Sequence, residues 1–529
     1  MAENSQLSII SIIMSKTWIQ TLNDLNERRA SILLAGGEDR IRKQHDGGKL
    51  TARERIEALF DEGSFIELDD MRLAHATDFG MEKKRKAGDG VITGYGRIHG
   101  RLTFVASQDF TISGGSLGEV HAQKICLAMD KAVETRAPFI FINDSGGARI
   151  EEGISSLAGY ADIFYRNTHA SGVIPQIAVI LGPCAGGACY SPAICDFIFM
   201  AKRNSQMYIT GPQVVKSVIG EEITAAELGG SHVHNTVSGV SHFEYDDDLS
   251  CLNGVRRLLG YLPQNSGEKS MIVRGKAVDR CRDIPSIVPD DSRKAYDVHD
   301  VIVSFVDDGS FMEVQAGYAR NIVVGFARLE GRTIGIVANQ SMVMAGALEI
   351  NSSDKGARFI RFCDCFNIPL LSLVDVPAFM PGSVQESGGI IRHGAKMLFA
   401  FAEAQVPKIC LIMRKAYGGA YIAMNSKGLG ADVVYAWPIA EIAVMGAAGA
   451  VAIIGRKAID EASDKEAKRT ELVDEYNRKF MNPYVAAERG YVDEVIAPDE
   501  TRGRLLDALK MLENKRRFTS DRKHGNIPL

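Results

Sequence analysis

The sequence predicts a soluble α/β protein made of two copies of one domain. Three observations carry this. Motifs recur in the same order in both halves. Continuous apolar runs alternate with amphipathic stretches. A strand-then-glycine device occurs once in each half, as "PQIAVILGPCAGGACY" and as "PKICLIMRKAYGGAY".

The repeats keep their order along the chain. "GYGRIHGRLTFVASQ" starts at Gly94 and "GFARLEGRTIGIVANQ" at Gly325, 231 positions on. Each predicts a β-hairpin, with turns at Gly100-Arg101 and Gly331-Arg332. After a helix-like stretch come "APFIFINDSGG" and "IPLLSLVDVPAF", in which Pro138 matches Pro369 and Asp144 matches Asp375, again 231 apart. In the glycine devices Pro175 pairs with Pro407 and Gly187 with Gly419, at a spacing of 232. Later "MYITGPQVV" resembles "IAVMGAAGAV", with Gly211 and Gly446 235 apart. Small loop insertions produce such a drift, and the preserved order argues for an internal duplication. Continuous apolar runs between amphipathic helices mean parallel strands covered on their faces. The expected domains are residues 14–262 and 271–529, joined by the linker Pro263–Ser270. Residues 14–80 predict charged amphipathic helices ahead of the first sheet. Residues 1–13 are expected to be a poorly ordered leader, with Met14 an alternative start.

Length and composition narrow the function classes. A chain of 529 residues is too long for one ordinary core. Its net charge of −5 suggests neither a nucleic-acid partner nor an anionic membrane surface. Nine cysteines are scattered without a CxxC pair, and Cys363 with Cys365 is a lone CxC. Structural zinc needs four tightly paired ligands, so no metal is expected, and the thiols fit a reduced, cytoplasmic protein. No apolar run reaches the roughly 20 residues of a membrane span, and the apolar N-terminal stretch lacks a basic leader.

The glycine devices carry the candidate chemistry. A strand that ends in Gly-Gly-Ala and enters a helix leaves backbone N–H groups without acceptors. Glycine permits close approach of a substrate, and the helix start adds partial positive charge. Together these features make an oxyanion hole. The candidate donors are the N–H groups of Gly186 and Gly187 in one half, and of Gly419 and Ala420 in the other. Close helix–sheet packing alone would also favour such glycines, but two copies at matching sites favour the catalytic role. Phosphate cradling lacks its GxxxxGK[ST] signature. The chain has no GxSxG elbow and no HExxH. His232 and His234 in "SHVHN" and the acidic stretch His242–Asp248 are expected to be polar, solvated loops. Glu386 and His393 are candidates for proton transfer or for a structural role at a helix start.

Longer strings extend this picture: "KLTARERIEALFDEGSFIELD", "FINDSGGARIEEG", "GPCAGGACYSPA", "GGIIRHGAKMLFAFAEAQVPK", "RKAYGGAY", "YAWPIAEIAVMGAAGAV" and "KHGNIPL". With these strings the chain resembles the carboxyltransferase (β) subunits of biotin-dependent acyl-CoA carboxylases, of the propionyl-CoA carboxylase and methylmalonyl-CoA decarboxylase type. The resemblance implies two tandem crotonase-like domains. It implies a homo-oligomer, a hexameric ring, with each active site between the first domain of one subunit and the second domain of another. The first half would bind a short-chain acyl-CoA and the second biotin. The implied activity moves a carboxyl group between carboxybiotin and the α-carbon of propionyl-CoA or acetyl-CoA. A decarboxylase running in reverse and a non-catalytic structural homologue are the alternatives. A crotonase-like hydratase or thioesterase using one hole would need a carboxylate pair that the sequence does not offer.

The resemblance also distributes roles. Gly186 and Gly187 would hold the thioester oxyanion, and Gly419 and Ala420 the ureido oxyanion. Gly146, Gly147, Ala148 and Arg149 would lie beside the CoA arm, and Tyr421 and Ile422 would shape the acyl pocket. Ala378, Phe379 and Gly418 would face biotin. Three departures from the family pattern stand out. Ile422 replaces an aspartate, Ala378 a glycine, and Ser387 an aromatic residue. With no Met-Lys-Met tripeptide and no ATP signature, the chain is expected to need partners. These are a biotin carboxylase and a separate biotin carboxyl carrier subunit, or a membrane decarboxylase subunit.

Overall fold

The computed structural model describes residues 16–516 and 523–529. The expected leader, residues 1–13, lies outside them. The chain divides into two compact units, Met1–Val233 with Glu244–Arg256, and His234–Phe243 with Arg257–Leu529. Residues 263–270, the expected linker, therefore count with the second unit.

Eight strands form the first sheet: β1 (Ile66–Leu68), β2 (Val91–Ile98), β3 (Arg101–Gln108), β4 (Phe139–Ser145), β5 (Gln176–Ala185), β6 (Phe197–Ala201), β7 (Gln206–Tyr208) and β8 (Phe243–Tyr245). Their order is β1-β2-β3-β4-β5-β6-β8, with β7 beside β5. The second sheet repeats this plan with β9 (Met312–Val314), β10 (Ile322–Leu329), β11 (Arg332–Asn339), β12 (Leu370–Val376), β13 (Lys408–Tyr417), β14 (Val433–Ala436), β15 (Glu441–Ala443) and β16 (Glu494–Val495). The order is β9-β10-β11-β12-β13-β14-β16, with β15 beside β13. The predicted parallel strands are the central ones, β3 to β6 and β11 to β14. Each sheet also carries an antiparallel hairpin edge. β4 and β12 are buried along their whole length, which is why they read as unbroken apolar runs.

Both predicted hairpins form, but their turns sit one residue earlier than expected. The central residues are His99-Gly100 (φ 52° and 75°) and Glu330-Gly331 (φ 49° and 78°). Two positive φ values make the type I′ turn that matches strand twist. Arg101 and Arg332 already belong to the second strand of each hairpin.

The central pair of strands is interrupted at the same place in each sheet. β4 pairs β5 through Asn143↔Ile180 and then Ser145↔Cys184, which leaves Leu181, Gly182 and Pro183 opposite Asp144. β12 pairs β13 through Val374↔Ile412 and then Val376↔Ala416, which leaves Met413, Arg414 and Lys415 opposite Asp375. Such bulges bend a strand and re-aim the residues beyond them. From the last bulge residue onward, Pro183 and Lys415, β5 gains β7 as a neighbour and β13 gains β15.

Each bulge encloses a fully buried aspartate. Asp144 is held by Arg55 Nη1 at 2.9 Å, Lys49 Nζ at 2.7 Å and Gln44 Nε2 at 2.9 Å. Arg55 also donates to Asp248 and to the Leu181 carbonyl, each at 2.8 Å. Burial opposes its charge, yet the carboxylates of Asp144 and Asp248 outweigh that and push its pKa up. The helix Ala52–Leu59 delivers Arg55, and it starts on a capping box between Thr51 and Glu54. Asp375 is held by Arg414 Nη2 at 2.9 Å, and it accepts the Lys415 N–H at 3.1 Å. Residues 242–248 depart from the solvated loop expected of them: His242, Phe243 and Asp248 are buried, and Phe243–Tyr245 form β8. Asp248 is buried beside the Arg55 guanidinium, with which it pairs.

Removing one partner of such a buried pair leaves an uncompensated charge. Arg55→Leu and Arg414→Leu are each expected to destabilise their own unit by about 3–5 kcal/mol. Thermal or denaturant unfolding checks this; a wild-type transition in either variant would show that the pair is dispensable.

Candidate active site

The site is built where the two bulged strands end. β5 stops at Ala185, Gly186 takes φ 64°, and a 3₁₀ turn Gly186–Cys189 leads into the helix Tyr190–Ile194. β13 stops at Tyr417, Gly418 takes φ 56°, and the helix Gly418–Ala423 begins at once. Only glycine adopts that conformation freely. Gly186 and Gly418 are therefore equivalent, 232 positions apart. Gly187 then matches Gly419, and Ala188 matches Ala420. The leading N–H groups of both turns have no acceptor within their own helix.

The two turns differ in their surroundings. A Cβ on Gly419 would meet nothing within 4 Å, whereas one on Gly418 would stand 2.9 Å from the Val444 carbonyl oxygen. On Gly187 it would come within 3.3 Å of the Tyr160 ring. Burial pushes the Tyr160 hydroxyl well above its ordinary pKa. Cys189 Sγ donates to the Cys184 carbonyl at 2.7 Å, so thiols also line the first turn. Beside the second turn, Ile422 is 47% exposed and Tyr421 is half-buried.

The loops after β4 and β12 stand next to these turns. Gly146 donates to the Gly114 carbonyl, Gly147 (φ 104°) to Ser145 Oγ, and Ala148 bridges to Leu117. In the second unit Phe379 bridges to Leu348 in the same way, and the Leu348 N–H donates to the Ala378 carbonyl. Ala378 occupies the place of Gly147 but is not among the positive-φ residues. The backbone has moved to a region alanine tolerates. The strain lies instead at Met344 and Ala345, with φ 50° and 53°, matching Ser113 and Gly114 at 50° and 63°. Phe379 packs its ring over Gly394.

The remaining candidates are dispersed. Arg149 is 2% exposed, and its guanidinium holds Asp89 and Glu152, each at 2.7 Å, so it braces the loop from beneath. His393 Nδ1 lies 2.8 Å from Asp354, and Glu386 and Ser387 are exposed on the short helix Ser383–Gly388. His232 and His234, expected in a loop, lie on the short helix Ser231–Thr236, and His234 hydrogen-bonds Ser238. Among the described residues no His, Cys, Asp and Glu cluster is arranged to hold a metal ion. Reasoning from sequence missed Tyr160, which carries no motif. It also missed Gly418 as the twin of Gly186, although the constant spacing of 232 would have shown it.

Comparison with known proteins places this geometry among relatives. The carboxyl transferase domain family matches residues 43–527. The carboxyltransferase subunit of propionyl-CoA carboxylase from Haloferax mediterranei is 57% identical, over 96% of this chain and 99% of its own. The alpha subunit of methylmalonyl-CoA decarboxylase from Propionigenium modestum is 56% identical over the same shares, 96% and 99%. A solved structure of transcarboxylase 12S, a hexamer with methylmalonyl-CoA bound, superimposes with a TM-score of 0.93 at 54% identity, covering 96% of this chain and 98% of that one.

The open space at Gly419 separates folding from function. Gly419→Val is expected to keep the wild-type circular dichroism and Tm. Gly418→Val combines a positive φ with a backbone clash and is expected to lose about 1–3 kcal/mol. Parallel melting curves of the two variants check the contrast.

Proposed function

The chain belongs to the carboxyl transferase domain family, with two tandem crotonase-like domains, and from that membership we propose the function of its two turns. The protein is a biotin-dependent acyl-CoA carboxyltransferase of the propionyl-CoA carboxylase and methylmalonyl-CoA transcarboxylase type. One observation carries the reading of the site: the same strand–glycine–helix turn stands at the same place in both sheets.

Two turns answer a reaction with two charged oxygens. The N–H groups at Gly186 and Gly187 hold the thioester oxygen of a short-chain acyl-CoA as its α-carbon loses a proton. Those at Gly419 and Ala420 hold the second oxygen, and Ala378, Phe379 and Gly418 shape the space around it. The residues present fit a flat ureido ring: Gly419 faces open space, and the Phe379 ring is half-buried against Gly394. Biotin on its carrier protein would supply there the carboxyl group and the nitrogen that takes the α-proton. Preorganised N–H donors need no reorganisation as charge develops, and each is worth roughly 10²–10³ in rate. Gly146, Gly147 and Ala148 line the CoA arm, while Arg149 holds that loop in shape. Tyr421 and Ile422 set the acyl preference, and the apolar Ile422 favours a hydrocarbon chain.

Working copies form a homo-oligomer in which the first turn of one subunit meets the second turn of another. Exposed apolar side chains support an interface. They lie on the matching helices Pro212–Ile219 (Val214, Val218, Ile219) and Ala447–Ile454 (Ile453, Ile454). A carrier subunit, with a biotin carboxylase or a membrane decarboxylase subunit, completes the cycle. The domain limits proposed are residues 14–262 for the acyl-CoA half and 271–529 for the biotin half. The proposed site of action is the cytoplasm; no helix among the described residues is long and apolar enough to cross a membrane.

The test is decarboxylation of malonyl-CoA and methylmalonyl-CoA by the purified oligomer, with and without free biotin or biocytin. Turnover that depends on biotin is expected, and the faster substrate names the acyl group. Gly419→Val should lower it by at least about 10²-fold. Turnover by that variant at the wild-type rate would remove the second turn from the mechanism. No turnover by the intact wild-type oligomer would favour the non-catalytic structural subunit.

A further inference from the structure

The second unit holds a cavity of about 640 Å³ at the end of its sheet remote from the glycine turn. Arg332, Pro369 and Pro407 line it, at the starts of β11, β12 and β13. Gly418 follows the other end of β13, so the length of that strand, about 30 Å, separates the two places.

Two buried hydroxyls on the cavity wall have no partner. Thr333 is 4% exposed, and neither its Oγ1 nor Ser270 Oγ makes a hydrogen bond. The Val273 N–H donates to the Gly331 carbonyl at 3.0 Å, which lays the segment after Ser270 beside the start of β11. A buried polar atom left unpaired costs about 1–3 kcal/mol, and native structures rarely leave one so. The duplication shows that the fold does not require the Thr333 hydroxyl. Thr333 pairs with Arg328 across its hairpin as Leu102, 231 positions earlier, pairs with Arg97. An apolar side chain serves that place in the first unit.

The cavity floor is apolar, with Ile334, Val406, Leu509 and Leu512. Its charged rim sets Lys269, Arg332, Lys515 and Arg516 against Asp364 and Glu513. Most of this charge is matched. Glu513 pairs with Arg332 at 2.9 Å and Lys515 with Asp432 at 2.6 Å. Asp364 Oδ1 accepts the N–H groups of Gln405 and Val406, at 2.6 and 3.1 Å. Lys269 donates to the Glu513 carbonyl at 2.7 Å. Among the described residues neither Lys269 nor the exposed Arg516 meets a carboxylate at ion-pair distance. So small a surplus of positive charge suits a single anionic group rather than a polyphosphate. A concave apolar floor with a few polar groups suits a small organic ligand.

We propose that this cavity is a separate binding site for a carboxylate that carries a hydrocarbon chain. The carboxylate oxygens accept from Thr333 Oγ1 and Ser270 Oγ and face the charge of Lys269 and Arg516. The chain lies on Leu509 and Leu512. The site is distinct from both glycine turns and does not rest on the function proposed for them.

The test is calorimetric titration of the purified full chain with octanoate, octan-1-ol and octyl phosphate. One saturable octanoate site per chain is expected, with octan-1-ol bound at least about tenfold more weakly. Thr333→Val keeps the side-chain shape and removes the hydroxyl. It is expected to keep the wild-type Tm and to weaken octanoate binding at least about tenfold. The K269A/R516A variant should also weaken it, and should bind with less dependence on salt. Unchanged octanoate binding by Thr333→Val would place the ligand elsewhere and overturn the proposal. Equal binding of octan-1-ol would reduce the cavity to an apolar crevice, and tighter binding of octyl phosphate would overturn the carboxylate assignment. No saturable octanoate binding would remove the site.

Discussion

A buried carboxylate at the end of the central strand organises each half of this protein. Asp144 and Asp375 sit opposite three residues of the neighbouring strand, where the ladder is broken. An ionised group without solvent must be paired. The two halves meet that demand differently. In the second, the bulge itself supplies the partners, because Arg414 and Lys415 face Asp375. In the first, those two positions are Gly182 and Pro183. A Cβ on Gly182 would stand 1.9 Å from Asp144 Oδ1, and proline has no N–H to donate. The cations come instead from Lys49 and Arg55, far earlier in the chain. The N-terminal segment is thus part of the framework behind the first glycine turn, since without Lys49 and Arg55 its central aspartate would be bare.

The bulge matters because it aims the turn beyond it. Past the break, each long strand leaves one neighbour and pairs with another, and only then reaches the positive-φ glycine. An uninterrupted ladder would carry the strand straight on. The broken one turns it, and the helix start next in the chain presents its N–H groups at the sheet's end. The paired aspartate holds the bulge in shape, and the glycine turn depends on that shape. The same order of parts in both units, with different arginines, argues that geometry at the turn was retained while its supports were exchanged.

Much of this was legible in the sequence, for physical reasons that apply to particular residues. Repeated glycines and prolines mark backbone requirements, so Gly100 with Gly331 and Gly187 with Gly419 exposed the duplication. Buried strands are unbroken apolar runs, so "FIFI" and "LLSLV" marked β4 and β12. Long-range pairing left no such trace. Nothing local tells that Arg55 pairs with Asp144 and Asp248, 89 and 193 positions away. An acidic stretch such as 246–248 looks solvated until a buried cation is known to need it. Turn residues were misplaced by one because Gly-Arg was taken as the centre. The type I′ turn puts His99 and Glu330 at positive φ, which asparagine or aspartate would have signalled more openly. At Ala378, where alanine replaces the family's glycine, the backbone stays out of the positive-φ region.

Duplication alone would give two equal sites, and the differences between the halves show which pressures separated them. The first half has a long connection between β1 and β2, whose Lys83, Lys84 and Lys86 form no ion pair among the described residues, and a bulky tyrosine against Gly187. The second has a minimal connection and open space at Gly419. Under the proposed function the first half takes the elongated acyl-CoA, of which the thioester alone enters the turn. Under the same proposal the second half takes a small ring on a tether, whose affinity comes from its carrier and whose oxygen needs only the two N–H groups. In that proposal the shared turn performs the same electrostatic task in both. The surrounding loops decide which oxygen arrives there.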